Sequence, residues 1–263
     1  SIDIPGETKV IRADISETFS FKPSYSIGDR TRSYLKIQDG CDYVCSFCTI
    51  PLARGKSRND SIKKTIQVAN QAIQEGAKEL VLTGVNIGDF GKSSNESFLS
   101  LIQELDKLDI ERLRISSIEP NLLSKEIINF CSSSKKFMPH FHIPLQSGSD
   151  KILTLMRRRY KRSTYLECVK MIKNVIPDAT IGADVIVGFP GESDKDFVET
   201  VQFIDKLKIS YLHVFTYSER SNTDAIKLDN KVDNKTRAKR SAILRKLSQK
   251  MLRKHQNKFV KSS

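Results

Sequence analysis

The chain has 263 residues, 38% of them hydrophobic, and a formal net charge of +13, which is enough length for one large core or an α/β barrel folded as a single domain. No run approaches the roughly 20 apolar residues that span a bilayer, and the opening "SIDIPGETKV" lacks both the basic and the apolar part of a secretory signal. A membrane-spanning or secreted protein is therefore not expected, and the cytoplasm is the expected compartment.

Residues 1–32 hold one candidate strand, "KVIRADI", and then a polar stretch, and are expected to form a lead-in. Six short runs rich in β-branched and aromatic residues follow: "SYLKIQ" (Ser33 to Gln38), "ELVLTG" (Glu79 to Gly84), "RLRISSI" (Arg112 to Ile118), "HFHIPL" (His140 to Leu145), "IGADVIVGF" (Ile181 to Phe189) and "YLHVFTY" (Tyr211 to Tyr217). Their length and composition predict strands. Helical patterns separate them. In "SIKKTIQVANQAIQEGA", Ile62, Ile66, Ala69 and Ile73 fall on one face, and Gly76 stands at the C-terminal cap. "FLSLIQELDKL", "KEIINF", "STYLECVKMIKNVI" and "KDFVETVQFIDKL" repeat the pattern, with Ser163 a candidate N-cap backed by Glu167. Alternating strands and helices imply a parallel sheet, and six units are fewer than the eight of a closed barrel. The expected fold is a partial, open six-stranded parallel (β/α)6 barrel over residues 33–230, with its chemistry in the loops at the C-terminal strand ends.

Residues 231–263 carry 12 Lys and Arg against the single acid Asp233, so the rest of the chain is nearly neutral. A basic helix is predicted from about Lys235, with Ile243, Leu244, Leu247, Met251 and Leu252 on one face and the charge turned outward. Such a block is either a solvated face or a set of phosphate contacts.

The chain has five cysteines, an odd number, which is not the disulfide framework of a small secreted domain. Three of them, Cys41, Cys45 and Cys48, lie in the loop "DGCDYVCSFCTIPLARGKSR" after the first strand. A structural zinc site takes four Cys or His ligands, and the four histidines, His140, His142, His213 and His255, are distant in sequence. An iron–sulfur cubane with only three protein thiolates keeps one iron open, as catalytic metal sites require. The spacing alone leaves zinc, a cluster and three plain buried thiols as alternatives. Cys131 and Cys168 sit on predicted helices and behave as small apolar residues.

C-x3-C-x2-C with Phe47 before the last cysteine, after the first of six α/β units, resembles the radical S-adenosylmethionine (SAM) superfamily. "YLKIQDGCDYVCSFCTIPLARGKSR", "LTGVNIGDFG", "RISSIEP", "HIPLQSGSDKIL", "MRRRY" and "DVIVGFPGE" are together similar to its methylthiotransferase branch, which adds a methylthio group to tRNA adenosine or to a ribosomal protein. "KIQDGC", "TGVNIGDFG" and "SSIEP" are most similar to the enzymes acting on N6-threonylcarbamoyladenosine next to the anticodon. The isopentenyladenosine enzyme is the close alternative, and a zinc-stabilised RNA-binding module is the alternative from another class.

The resemblance implies a 4Fe–4S cluster on Cys41, Cys45 and Cys48 and a SAM molecule whose amino and carboxylate groups bind the open iron. An electron from the cluster then cleaves SAM to a 5′-deoxyadenosyl radical that activates carbon 2 of the adenine. Phe47 takes the family position near the adenine of SAM, and Gly84, Val85 and Asn86 the position that receives its amine. Ser117, Glu119 and Gln146, with Ser147 and Gly148, stand at strand ends suited to ribose or carboxylate. Arg158 is the candidate partner of the SAM carboxylate, with Arg157 and Arg159 as neighbours not separable from it by sequence. Asp184 faces the mouth or forms a structural pair, and "GFPGE" (Gly188 to Glu192) shapes a turn. His140 and His142 alternate along one strand and are expected in the core or behind the site. No residue is assigned a catalytic role beyond the cluster. The "RGKSR" bases and the terminal helix are candidate contacts to a tRNA anticodon stem-loop, and an electron donor such as flavodoxin or ferredoxin is implied. The branch also carries an N-terminal domain with a second 4Fe–4S cluster and a small C-terminal RNA-binding β-domain. The present sequence is expected to correspond to the part between them.

Overall fold

The computed structural model describes residues 15–26 and 32–260. Of "KVIRADI", only Ile15 is among them, at the start of a single 3-10 turn, Ile15–Glu17; the rest of that expected strand lies outside the described residues. The elements are β1 (Ser24–Tyr25), β2 (Arg32–Lys36), α1 (Ile50–Arg54), α2 (Ile62–Gln74), β3 (Glu79–Thr83), α3 (Phe98–Asp106), β4 (Arg112–Ile115) and α4 (Lys125–Ser133). They continue with β5 (His140–His142), α5 (Asp150–Leu155), α6 (Arg162–Val175), β6 (Thr180–Val187), α7 (Asp194–Leu207), β7 (Tyr211–Thr216) and α8 (Asn234–Val260).

Strands β2, β3 and β4 run parallel, as do β5, β6 and β7, while β1 adds an antiparallel edge to β2. Bridges Leu113↔Phe137 and Ser117↔His142 join the two sheets side by side, and Ile118 N–H donates to the His142 carbonyl at 3.0 Å. The wall is thus six parallel strands in chain order, and no pairing closes β7 onto β2 among the described residues. This is the open barrel that the alternation of elements predicts.

β3 is buried along both faces except at its end, as a continuous apolar run in a parallel sheet requires. β6 is more selective: Ile181, Ala183, Val185 and Val187 are fully buried, and Asp184 and Ile186 between them are only half-buried. Helices pack outside. Ser61, Ser97 and Ser124 cap α2, α3 and α4, and Ser193 with Asp196 forms a complete capping box on α7. Gly76, with φ of +97°, follows the end of α2. Ser163 does not cap α6: the helix begins one residue earlier, and Asp150 Oδ1 accepts its first N–H, from Arg162, at 2.8 Å.

α8 packs against β7 and β6, and Ser248 Oγ satisfies the free edge of β7 by accepting from Leu212 N–H (2.8 Å) and donating to its carbonyl (3.1 Å). Leu244 is fully buried, and Leu247 and Met251 touch the core. Ile243 and Leu252 do not follow them, being 41% and 37% exposed, because the buried face instead runs through Arg237, Arg240, Ser241, Leu244 and His255. The basic charge is accordingly not all outward. Arg237 grips the Glu219 carboxylate with both Nη atoms (3.1 and 2.6 Å), and Arg240 pairs with Glu192 and Asp194.

Candidate active site

The loop after β2 is held from both flanks. Asp39 bridges Arg58 through the backbone, and its carboxylate takes Lys36 Nζ at 3.0 Å and Arg58 Nη2 at 3.2 Å. Burial would raise this carboxyl, but Lys36, the Gly40 N–H and Arg58 hold it below the ordinary range. Gly40 has φ of +70°, and a Cβ there would lie 2.0 Å from the Lys56 carbonyl oxygen, so only glycine lets the two arms meet. Cys41 N–H donates to the Gly55 carbonyl (3.1 Å) and Asp42 Oδ1 accepts from Ser57 N–H (3.0 Å). Within "RGKSR", Arg58 is therefore a structural staple, whereas Arg54 and Lys56 are exposed.

Gln38 was not singled out by sequence reasoning, yet it joins this loop to the next one. Its side chain is fully buried; Oε1 accepts from Val85 N–H (2.9 Å) and Asn86 N–H (2.8 Å), and Nε2 donates to the Asp39 and Gly40 carbonyls and Ser57 Oγ. Gly84 allows this approach, since a Cβ there would meet Gln38 Oε1 at 2.9 Å. The Val85 and Asn86 N–H groups are thus occupied internally rather than open to a ligand. Asn86 Nδ2 bonds Asp89 Oδ2 at 2.8 Å, and Asn86 Oδ1 is buried without a partner.

Three arginines inseparable by sequence are separated by the structure. Arg157 reaches out to Asp224 (2.7 Å), and Arg159 lies 4.1 Å from the Tyr43 ring centre and bonds the Asp42 carbonyl. Arg158 turns inward: Nη1 donates to Cys45 Sγ at 3.1 Å, Nη2 pairs with Glu119, and Nε bonds Tyr160 Oη at 3.2 Å. Tyr160 Oη in turn donates to the Pro144 carbonyl at 2.7 Å. Burial pushes the Glu119 carboxyl above its ordinary value, although Arg158 opposes it.

Phe47 meets Phe189 edge-on at 6.2 Å, beside the small apolar cluster of Ile152, Met156, Tyr217 and Ala225. Ser117 pairs with His142 through the backbone, and Ser147 Oγ contacts Thr200 Oγ1 at 3.3 Å beneath the turn. Gln146 adopts φ of +63°, unusual for a non-glycine residue, and its Oε1 is buried without a partner. Within "GFPGE", Glu192 accepts from Gly188 N–H at 2.5 Å, which is the shaping role expected of that turn. Asp184 stands against His142 Nε2 (3.0 Å) and His213 Nδ1 (3.4 Å). His140 and His142 share a face, as their alternation implies: His140 Nε2 bonds Tyr211 Oη at 2.9 Å, and burial with nearby Arg114 pushes the ring down to about 4, so it is neutral.

The donor set fits an iron–sulfur cluster better than a zinc ion. Cys41, Cys45 and Cys48 are free, half-buried and near enough to influence one another, with burial pushing the Cys41 thiol up to about 11. A bound cation reverses that penalty. A zinc ion, with sulfurs at about 2.3 Å, draws its ligands within about 4 Å of one another, and the three sulfurs are not among the ligand groups lying mutually within 4.8 Å. No fourth cysteine or histidine is at hand among the described residues. His255 bonds Thr180, the other histidines line the strands, and Cys131 and Cys168 are in the core. Three buried side-chain oxygens lack a partner, Asn86 Oδ1, Gln146 Oε1 and Tyr217 Oη, and the first two are amide acceptors suited to the amine and hydroxyls of a small polar cofactor.

The model of the radical SAM superfamily matches residues 35–204. The chain is 38% identical over 259 residues to the threonylcarbamoyladenosine tRNA methylthiotransferase MtaB of Bacillus subtilis, covering 97% of this chain and 57% of that one. It is 43% identical to the protein of the same name from Aquifex aeolicus (83% and 54%). Against the tRNA-2-methylthio-N(6)-dimethylallyladenosine synthase of Syntrophus aciditrophicus it is 38% identical (90% and 54%). The chain thus spans a little over half the length of these curated relatives. Among solved structures, coproporphyrinogen III oxidase HemN of Escherichia coli superposes with a TM-score of 0.57 at 15% identity, over 87% of this chain and 52% of that one. The methyltransferase TsrM of Kitasatospora setae gives 0.62 at 13% identity, over 73% and 38%. These two likenesses concern the fold alone.

Proposed function

This chain belongs to the radical SAM superfamily, and from that premise we propose that Cys41, Cys45 and Cys48 hold a 4Fe–4S cluster and that the chain is the SAM-cleaving part of a tRNA methylthiotransferase. The carrying observation is the loop itself: three free thiols at the C-terminal mouth of the barrel, one of them touched by a buried arginine, with every other cysteine and histidine among the described residues engaged elsewhere. When bound, the cluster supplies an iron free of protein thiolate and the electron that cleaves SAM to a 5′-deoxyadenosyl radical.

The chain's own residues do the positioning. Arg158 holds a charged fork beside Cys45, already shaped to a carboxylate by Glu119, and a guanidinium is the side chain that grips carboxylates bidentately. Asn86 Oδ1 and Gln146 Oε1 offer acceptors, Ser117 a hydroxyl, and Phe47 with Phe189 an apolar wall for a ring. Gln38 fixes the spacing between the cysteine loop and the loop after β3. Residues 33–230 form the catalytic body, and residues 231–263 a basic segment whose helix, α8, spans Asn234–Val260.

The substrate we infer is N6-threonylcarbamoyladenosine next to the anticodon, methylthiolated at carbon 2; the names of the Bacillus and Aquifex relatives support it. The Syntrophus relative's name supports dimethylallyladenosine as the second reading. The anticodon stem-loop meets the exposed bases Arg54 and Lys56 and the outer face of α8, and a reduced flavodoxin or ferredoxin delivers the electron. The cytoplasm suits a tRNA-modifying enzyme, and no helix among the described residues is long and apolar enough to cross a membrane.

The test is SAM cleavage. The anaerobically reconstituted, reduced chain is expected to release 5′-deoxyadenosine from SAM, and Cys45→Ala to release none. Equal release by Cys45→Ala, or none by the iron-loaded parent, would overturn the proposal. Stem-loops bearing each modified adenosine, compared for binding at matched salt, separate the two substrates.

A further inference from the structure

We propose that His142, Asp184 and His213 form a second metal site, for one first-row divalent ion, on the inner wall of the barrel and separate from the cysteine loop. The three residues come from adjacent strands, β5, β6 and β7, and parallel register brings them together: Asp184 lies opposite His213, and His142 opposite Gly182, two residues before Asp184. Among the described residues this is the trio of potential ligand atoms lying mutually within 4.8 Å.

The set is two imidazoles and one carboxylate, the donor combination that holds Fe²⁺ or Zn²⁺ while leaving other coordination positions open. Asp184 Oδ1 is 3.0 Å from His142 Nε2 and 3.4 Å from His213 Nδ1, and the two imidazole rings lie with centres 5.0 Å apart, tilted by 30°. Side-chain exposure rises from 11% at His142 through 22% at Asp184 to 56% at His213, so an ion here has two ligands set in the wall and one at the opening. Gly182 leaves room beside the trio that Tyr211 fills. Tyr211 packs 5.3 Å from the His213 ring and 6.2 Å from that of His142, which fixes both imidazoles from one side. The open positions of the ion face the barrel interior, where water or an oxygen of a bound substrate completes its coordination.

This site stands independently of whether the cysteine loop holds a cluster, and the experiment keeps the two apart. Co²⁺ is titrated into the metal-free chain and into a Cys41→Ser/Cys45→Ser/Cys48→Ser variant, with absorption followed in the visible and near-ultraviolet. Thiolate ligands give intense sulfur-to-cobalt charge transfer; nitrogen and oxygen ligands give only weak d–d bands. The expected result is about one Co²⁺ per variant chain with d–d bands and no charge transfer, displaced by Zn²⁺. His213→Ala and Asp184→Asn, the exposed ligand and a shape-conserving change, are expected to weaken this binding by more than about tenfold, the lower end of what losing even an indirect partner of a metal ligand costs. If the cysteine variant fails to fold, the parent with its thiols capped by iodoacetamide serves in its place. No ion bound once the thiols are removed, or binding unchanged in both ligand variants of normal circular dichroism, overturns the site.

Discussion

Arg240→Met is expected to lower the unfolding free energy by about 3–5 kcal/mol, the cost of leaving one partner of a buried ion pair without the other. Arg240 and Glu192 side chains are 6% and 1% exposed, and their contact is 2.7 Å. Glu192 also accepts from Gly188 N–H, and Arg240 also donates to the Glu192 carbonyl and to Asp194. The pair therefore clamps α8 onto the turn after β6. Burial already pushes the Glu192 carboxyl above its ordinary range against the pull of Gly188 and Arg240, so with Arg240 gone the carboxylate either stays charged at high cost or takes up a proton. The double variant Glu192→Gln/Arg240→Met removes the charge but keeps an acceptor for Gly188, and most of the loss should return. Urea unfolding of the three proteins measures this. A loss below about 1 kcal/mol in the single variant, the range of exposed ion pairs, would show that the clamp is not formed.

Gln38→Leu is the second large effect. The change preserves size but withdraws one acceptor from two backbone N–H groups and one donor from two carbonyls and a hydroxyl, all at a fully buried position. Each buried group left unsatisfied costs about 1–3 kcal/mol, so a destabilisation of about 3 kcal/mol or more is expected. The local consequence is more specific. The cysteine loop and the loop after β3 lose their shared anchor, so iron retention after reconstitution should fall even at temperatures where circular dichroism still reports a folded barrel. Hydrogen exchange is expected to accelerate at Val85 and Asn86 before it does in β3. Unchanged exchange at those two amides would contradict the anchoring role.

Much of the fold was legible because it is written in local periodicity. All six wall strands begin within a residue of the expected start, and the five intervening helices fall where the apolar spacing places them. Short helices α1 and α5 were not anticipated, as five or six residues carry too little periodicity to stand out. The buried face of α8 was only partly legible. Its hydrophobic stripe names Ile243 and Leu252, but Arg237 and Arg240 take part of that face because Glu219 and Glu192, from distant turns, neutralise them.

The site shows the same division. Spacing brought Cys41, Cys45 and Cys48 forward, position at strand ends the polar residues there, and the family resemblance Phe47, and the structure gathers Cys45, Arg158 and Glu119 into direct contact. Choosing Arg158 over its two neighbours needed tertiary contacts: Arg157 reaches Asp224 and Arg159 lies over Tyr43, while Arg158 meets Cys45 and Glu119. Gln38 could have been suspected as a polar residue closing an apolar strand, but the two amides that its Oε1 accepts from lie 47 and 48 residues away. The grouping of His142 with Asp184 and His213 depends on strand register, which no local pattern reveals.

The most direct measurement is an electron paramagnetic resonance spectrum of the anaerobically reconstituted, reduced chain with and without SAM, alongside iron and zinc analysis. A cubane on Cys41, Cys45 and Cys48 predicts about four irons per chain and a spectrum that changes when SAM is added, because one iron lacks a protein thiolate. One zinc per chain, or an iron signal indifferent to SAM, would contradict an open-iron cluster in this loop.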